Sequence, residues 1–290
     1  MTMSENGSLR DEDVLEKMSF WDHVSALRSM ILKVFGVVIV LSLIFFAIMP
    51  DLFDLVILAP CRSDFFLYHL LGKVIPYFAA GAADGSELVV NMINIQLTSQ
   101  ILIHMTTSFW LGIIFSFPFI IYSIWQFVKP ALYDNERRGI KKVFLFGNFM
   151  FYLGVTVGYC IVFPFSLRFL AGYQVSEMVP NQISLTSYMD NFLMLVFTTG
   201  LMFELPLVAM MLSRAGVLTR SFFNKYRRHA IAILMIIAAI ITPADPFSMV
   251  VLFIPLYCLW ELSSFFVKPA LKLEDSGDSR AAVEPTQKNN

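Results

Sequence analysis

Apolar runs of about helix length alternate with short polar connections along most of this chain. A hydrocarbon core of roughly 30 Å needs about 20 apolar residues in a helix. Four segments, 30–49, 105–127, 143–167 and 191–213, meet that length. The stretch 229–267 holds two more runs, 230–243 and 247–267, separated by TPADP at 242–246. Two prolines around an aspartate end a helix more readily than they kink one. The pattern therefore predicts a hairpin there and six spans in all. The competing reading, one kinked span plus a re-entrant piece, puts the C-terminal tail on the opposite side.

The flanking positions add detail. Phe20, Val24, Leu27 and Ile31 recur at helical spacing, which predicts an amphipathic helix along the membrane interface, anchored by Trp21. Residues 1–29 form the N-terminal region, 30–267 the membrane domain and 268–290 a polar tail of disordered composition. Between the first two spans, residues 50–104 are longer than a simple connection. Phe65, Phe66, Tyr68, Leu70 and Leu71 suit an interfacial helix, and INIQL at 93–97 alternates like a short strand. A partly ordered cap is expected there.

Charge settles which side is which. With six spans, one side receives 18 of the 21 Lys and Arg residues, leaving only Arg62, Lys73 and Arg168 on the other. By the positive-inside rule both termini are cytoplasmic and the long first loop is external. Five spans would move the tail lysines outside. With 57% hydrophobic and 15% charged residues, the composition excludes an ordinary soluble domain, which carries about 25% charge. Three cysteines, two of them in apolar runs, argue against a disulfide framework. The first 28 residues are polar and mixed in charge, so no cleavable secretory signal is expected.

Enzyme chemistry is not expected. His23, His69, His104 and His229 all fall in loops or at span ends, and there is no HExxH, no phosphate-binding glycine loop and no Cys or His cluster at ligand spacing. No metal, cofactor or nucleic-acid partner is implied. The acids inside apolar runs are few. Glu204 lies in the fourth span, where an ionised carboxylate costs about 2.5–3.5 kcal/mol on insertion scales; it must be protonated, paired or facing a wet cavity. Pro206 frees a backbone carbonyl nearby. Glu261, near the end of the sixth span, fits either a surface carboxylate or a functional one. Asp245 most simply caps the turn between the last two spans. Glu136, beside Arg137, Arg138, Lys141 and Lys142, reads by spacing alone as a solvated loop acid.

Several separate segments resemble the TatC family, the multispanning subunit of the twin-arginine protein translocase, in that family's order. They are HVSALR at 23–28, FVKPALYDNERR at 127–138, FPF at 163–165, LMFELP at 201–206, and TPADP at 242–246 through PLYCLWE at 255–261. The resemblance covers roughly residues 18–268. It implies an all-α membrane protein, a glove-shaped bundle of six transmembrane helices in the bacterial cytoplasmic (inner) membrane. The implied function is that of receptor and core subunit of the translocase, binding twin-arginine signal peptides and exporting folded precursors on the proton-motive force. Expected partners are those precursors, membrane lipids and single-span subunits of the TatA/TatB type in a multimeric complex.

By that resemblance Glu136 faces the two arginines. Phe127, Pro130, Leu132, Tyr133 and Arg137 shape the same surface, with His23, Leu27 and Arg28 beside it. Guanidinium groups favour planar, two-point bonding to carboxylates, which lysine cannot reproduce. Glu204 would contact a polar group of a single-span partner or of the signal peptide, and the last two spans, with Asp245 and Glu261, would form a docking surface. One departure stands out. The family's N-terminal motif usually has a glutamate directly before the Leu–Arg pair, and this chain has Ala26; Asp22, Asp134 and Glu16 are the candidate substitutes. The loop 50–104 is also longer than the family's usual one. The alternative function is a proton-coupled secondary transporter using Glu204, although a midplane substrate site normally needs more polar groups than these.

Overall fold

A computed structural model describes residues 20–62, 65, 92–128, 140–176, 178, 181–214, 216–242 and 245–267. The described chain is mostly helical. Helix α1 (Phe20–Leu52) continues into a π-helical turn (Phe53–Ile57) and a 3-10 turn (Ala59–Cys61). Helix α2 is Ser99–Val128. Helix α3 (Ile140–Val157) runs through a second π-helical turn (Gly158–Val162) into α4 (Phe163–Gly172). Helices α5 (Leu185–Met202) and α6 (Leu205–Arg214) are separated by a break at Phe203–Glu204. Then come α7 (Arg220–Lys225), α8 (Arg227–Ile241) and α9 (Pro246–Phe266).

Five stretches are long and apolar enough to cross a membrane: Val24–Cys61, Ser99–Phe127, Phe144–Gly172, Leu185–Ser213 and Pro246–Phe266. They contain the segments expected at 30–49, 105–127 and 191–213, all but the first residue of that at 143–167, and all but the last residue of that at 247–267. The segment expected at 230–243 is α8, only 15 residues long, or about 22 Å at 1.5 Å per residue. It forms the predicted hairpin with α9. Of its buried stripe Ala230, Leu234, Ala238 and Ile241, the last three join a core that includes Leu252 and Leu256 of α9.

Two boundaries differ from the sequence reading. The N-terminal amphipathic segment is not separate from the first span: α1 runs without interruption from Phe20, because no proline or glycine stands between the two patterns before Gly36. The strand expected at 93–97 is a two-residue element, β1 (Met92–Ile93), paired in parallel with β2 (Ile183–Ser184). It ties the end of the long first loop to the connection before α5. The rest of the expected cap, the loop 129–139 and the two termini lie outside the described residues.

Close packing in the bundle depends on missing side chains. A Cβ at Gly154 of α3 would sit 2.6 Å from Phe203 Cβ and 2.9 Å from the Gly200 Cα, closer than side chains approach. Helices α3 and α5 therefore meet backbone to backbone. At the end of the molecule away from the basic loops, aromatic rings carry the core. Phe163 meets Tyr188 and Phe192 edge-on, at 5.2 and 4.9 Å between centroids.

The carbonyls at the end of the first span are also accounted for. Backbone groups in a bilayer must find partners within the protein. The hydroxyl of Tyr159, in the second π-turn, donates to Val56 O at 2.7 Å, and that of Tyr188, in α5, to Ile57 O at 2.5 Å. Arg62 reaches back to Asp54 O at 3.0 Å. Spans three and four thus supply the donors that a π-turn leaves wanting. All three cysteines are free, in line with their odd count and the apolar runs that hold two of them.

Candidate functional site

Helices α1 and α2 pack antiparallel: Ser42 lies against Gly112, Phe45 against Phe115 (4.8 Å) and Phe46 against His104 (4.1 Å). This brings the first turns of α1 to the same end as the last turn of α2. Leu27 and Arg28 are exposed there, and Phe127 is half-buried where α2 ends. Among the described cations, Arg28, Lys33, Arg220, Lys225, Arg227 and Arg228 belong to this end, and Arg62 and Arg168 to the other. His23 lies on the first turn of α1. Pro130, Leu132, Tyr133, Glu136 and Arg137 fall in 129–139, outside the described residues. The two helices that border that segment, α2 and α3, end and begin at the basic end.

The second component is Glu204, in the break between α5 and α6. It is only 7% exposed, and neither carboxylate oxygen has a hydrogen-bond partner among the described residues. Pro206, the second residue of α6, has no N–H for the Met202 carbonyl, which explains why the helix breaks here. Gly147 of α3 makes room: a Cβ there would stand 2.8 Å from Leu207 Cδ2 and 3.4 Å from Glu204 Oε2. The neighbouring cluster is apolar, with Trp125 and Leu207 flanked by Phe144, Phe146 and Met210. On the next residue of α3, Asn148 donates to Phe144 O at 2.9 Å, while its Oδ1 is buried without a partner among the described residues.

The other two acids have partners within the chain, although Asp245 Oδ1 is buried without one among the described residues. Asp245 is the N-cap of α9: its Oδ2 accepts from the Ser248 N–H at 2.6 Å, and Pro246 opens the helix. Glu261 accepts from Arg227 at 2.6 Å and from the Tyr257 hydroxyl at 2.8 Å, so the basic end of α8 is pinned to α9. Sequence reasoning did not find Arg227, Tyr257, Gly147 or Asn148. Glycines at 147, 154 and 158 at helical spacing were the available signal for the close α3 packing; nothing local marks Arg227 and Glu261 as partners.

The model of the family described as "Sec-independent protein translocase protein (TatC)" matches residues 22–255. The TatC of Blattabacterium sp. subsp. Periplaneta americana is 33% identical over 256 residues, which is 87% of this chain and 96% of that one. TatCy of Bacillus subtilis is 29% identical over 258 residues, covering 89% and 92%. Two crystal structures of a twin-arginine translocase receptor TatC, one of them in the detergent DDM, superimpose with TM-scores of 0.66 and 0.68. Each is 30% identical to this chain; the matches cover 84% and 85% of it and 97% and 99% of the respective structures. With its apolar helices and its match running from the first turn of α1 into α9, this chain is a multi-pass membrane protein that belongs to the TatC family of the Sec-independent protein transport pathway.

Proposed function

We propose that the protein is the receptor and core subunit of a twin-arginine translocase in a bacterial inner membrane. In this reading it binds twin-arginine signal peptides at its cytoplasmic face and moves folded precursors on the proton-motive force. The carrying observation is the likeness, at 30% identity over nearly the whole of the solved chains, to structures described as twin-arginine translocase receptors. Six spans in a glove-shaped bundle with both termini cytoplasmic fit the grouping of described cations at one end. Residues 1–29 and 268–290 then flank a membrane domain at 30–267.

In this proposal Glu136 binds the arginine pair, and Phe127, Pro130, Leu132, Tyr133, Arg137, His23, Leu27 and Arg28 frame it. The exposed Leu27 and Arg28 at the same end as Phe127 support that grouping. Glu204 takes a donor from a single-span partner or from the inserted signal peptide, since acceptors buried without a donor are rare in folded proteins. Asp245 and Glu261, held by Ser248, Arg227 and Tyr257, shape the α8–α9 hairpin as a docking surface. The short α8 favours local thinning of the bilayer beside the assembly.

Photocrosslinking in inverted membrane vesicles tests the receptor role. A photoreactive residue at Leu132 should capture an arginine-pair precursor and not its lysine-pair version, and Glu136→Arg should abolish capture. Equal capture of both precursors by folded, correctly oriented protein would sink the assignment.

A further inference from the structure

Pro50 lies inside α1, three residues before the π-helical turn. A proline in a helix has no N–H, so the carbonyl four residues earlier loses its donor. Here that carbonyl belongs to Phe46. The Nε2 atom of His104, on α2, lies 2.9 Å from Phe46 O. A carbonyl only accepts, so Nε2 carries the proton. The imidazole also stacks on the Phe46 ring, 4.1 Å between centroids and 19° from parallel, which holds it in register with the carbonyl.

We infer that His104 is a positioning residue: it replaces the backbone donor that Pro50 removes and thereby sets the direction in which α1 leaves its anchored end. Packing on α2 supports α1 along its length but buries few of its side chains. Of the described side chains of α1, only Val38 and Met49 are buried. Beyond Pro50 the chain is tied to spans three and four by Tyr159 and Tyr188, so the proline lies where a fixed end meets a rod that packs mainly on α2. From Phe46 back to Val24 the rod is about 33 Å long at 1.5 Å per residue. Kinks sharper than about 20° occur almost always at prolines, Gly/Ser pairs, π-bulges or inserted groups, and a change of about 10° would carry Val24 sideways by about 6 Å. That displacement would move Leu27 and Arg28, which belong to the proposed precursor surface; this last step rests on the receptor reading, and the geometric one does not.

The test is a cycle of substitutions read by distance. Spin labels introduced as unnatural amino acids at Val24, which is exposed, and at Lys225 on α7 leave the native cysteines in place. His104→Leu should shift the distance by about 4 Å or more, given the lever above. His104→Gln, which keeps a donor at similar reach, should hold it. Pro50→Ala restores the N–H of residue 50, so adding His104→Leu to it should leave the distance unchanged within about 1 Å on the same lever. A shift that persists in the Pro50→Ala chain, or no shift in His104→Leu, overturns the inference. If His104→Leu alone does not fold, recovery of folding and distance by Pro50→Ala supports it, and failure to recover overturns it. Crosslinking of an arginine-pair precursor from a photoreactive residue at Leu27 should fall several-fold in His104→Leu and recover with Pro50→Ala. Absence of crosslinking in the native protein would count against the receptor reading and leave the distance cycle to decide the other.

Discussion

Two interruptions of the helical bundle have been finished in opposite ways. At the end of the first span, a proline and a π-turn release backbone carbonyls, and the chain supplies a donor from elsewhere for each of four: His104, Tyr159, Tyr188 and Arg62. At the break between α5 and α6, the oxygens of Glu204 receive no donor from any described residue, and neither does Asn148 Oδ1 nearby on α3. The medium imposes the same cost on both, because hydrocarbon offers no water to an orphan acceptor. The first region is therefore architecture, complete in itself. The second leaves its acceptors without donors among the described residues, which is what supports the proposal that Glu204 meets a partner.

The sharpest way to break this contrast is to remove the acid. Glu204→Leu should raise the stability of the isolated protein by about 1–3 kcal/mol, because it deletes an unpartnered buried polar group. It should also cut export by about tenfold or more, the equivalent of about 1.4 kcal/mol of lost partner binding. Thermal unfolding in detergent and a precursor transport assay read the two effects. A loss of stability would mean that Glu204 has a structural partner, and the contrast would fail. Glu204→Gln separates the readings of function: a Tat receptor keeps precursor binding, whereas a proton carrier loses proton-coupled solute uptake in vesicles.

The next effects are structural and carry the opposite sign. Gly154→Ala drives a methyl group into Phe203 and Gly200, and overpacking of this kind costs about 1–3 kcal/mol. Tyr188→Phe leaves Ile57 O without its donor. Hydrogen bonds between membrane helices average about 0.6 and reach about 1.7 kcal/mol, and this buried one should fall in the upper part of that range. Precursor capture at Leu132 should survive both substitutions in whatever protein remains folded. If Tyr188→Phe stabilised the protein as Glu204→Leu is expected to, the two regions would not differ in kind.

How legible all this was depends on range in sequence. Hydropathy located the five long apolar stretches, because each is a local property of about 20 residues, and it placed the short α8 without settling whether it spans. Its error at α1 was to divide two apolar patterns that share one uninterrupted backbone. A lone acid in an apolar run, Glu204, was also legible, as was a capping role for Asp245 in the turn beside two prolines. The donors that complete the first span were not: Tyr159 and Val56 are 103 residues apart, and Tyr188 and Ile57 are 131 apart. No periodicity joins such pairs. His104 was read only as a span-end histidine, since its meaning depends on Pro50 in another helix.

The smallest expected effect concerns the ion pair at the basic end. Arg227 is 52% exposed and Glu261 29%, so their 2.6 Å contact is solvent-screened, and pairs of this kind contribute about 0.2–1 kcal/mol. Glu261 also keeps the Tyr257 hydroxyl when the arginine is gone. Arg227→Ala should therefore lower stability by no more than about 1 kcal/mol, and added salt should shrink the difference further. The measurement still bears on the contrast. A larger loss, insensitive to salt, would show that the α8–α9 hairpin depends on this contact and is not mainly held by the stripe of Ala230, Leu234, Ala238 and Ile241. A short helix held by one polar contact would behave like the clasp on the first span. One held by apolar packing can keep its polar surface for a partner.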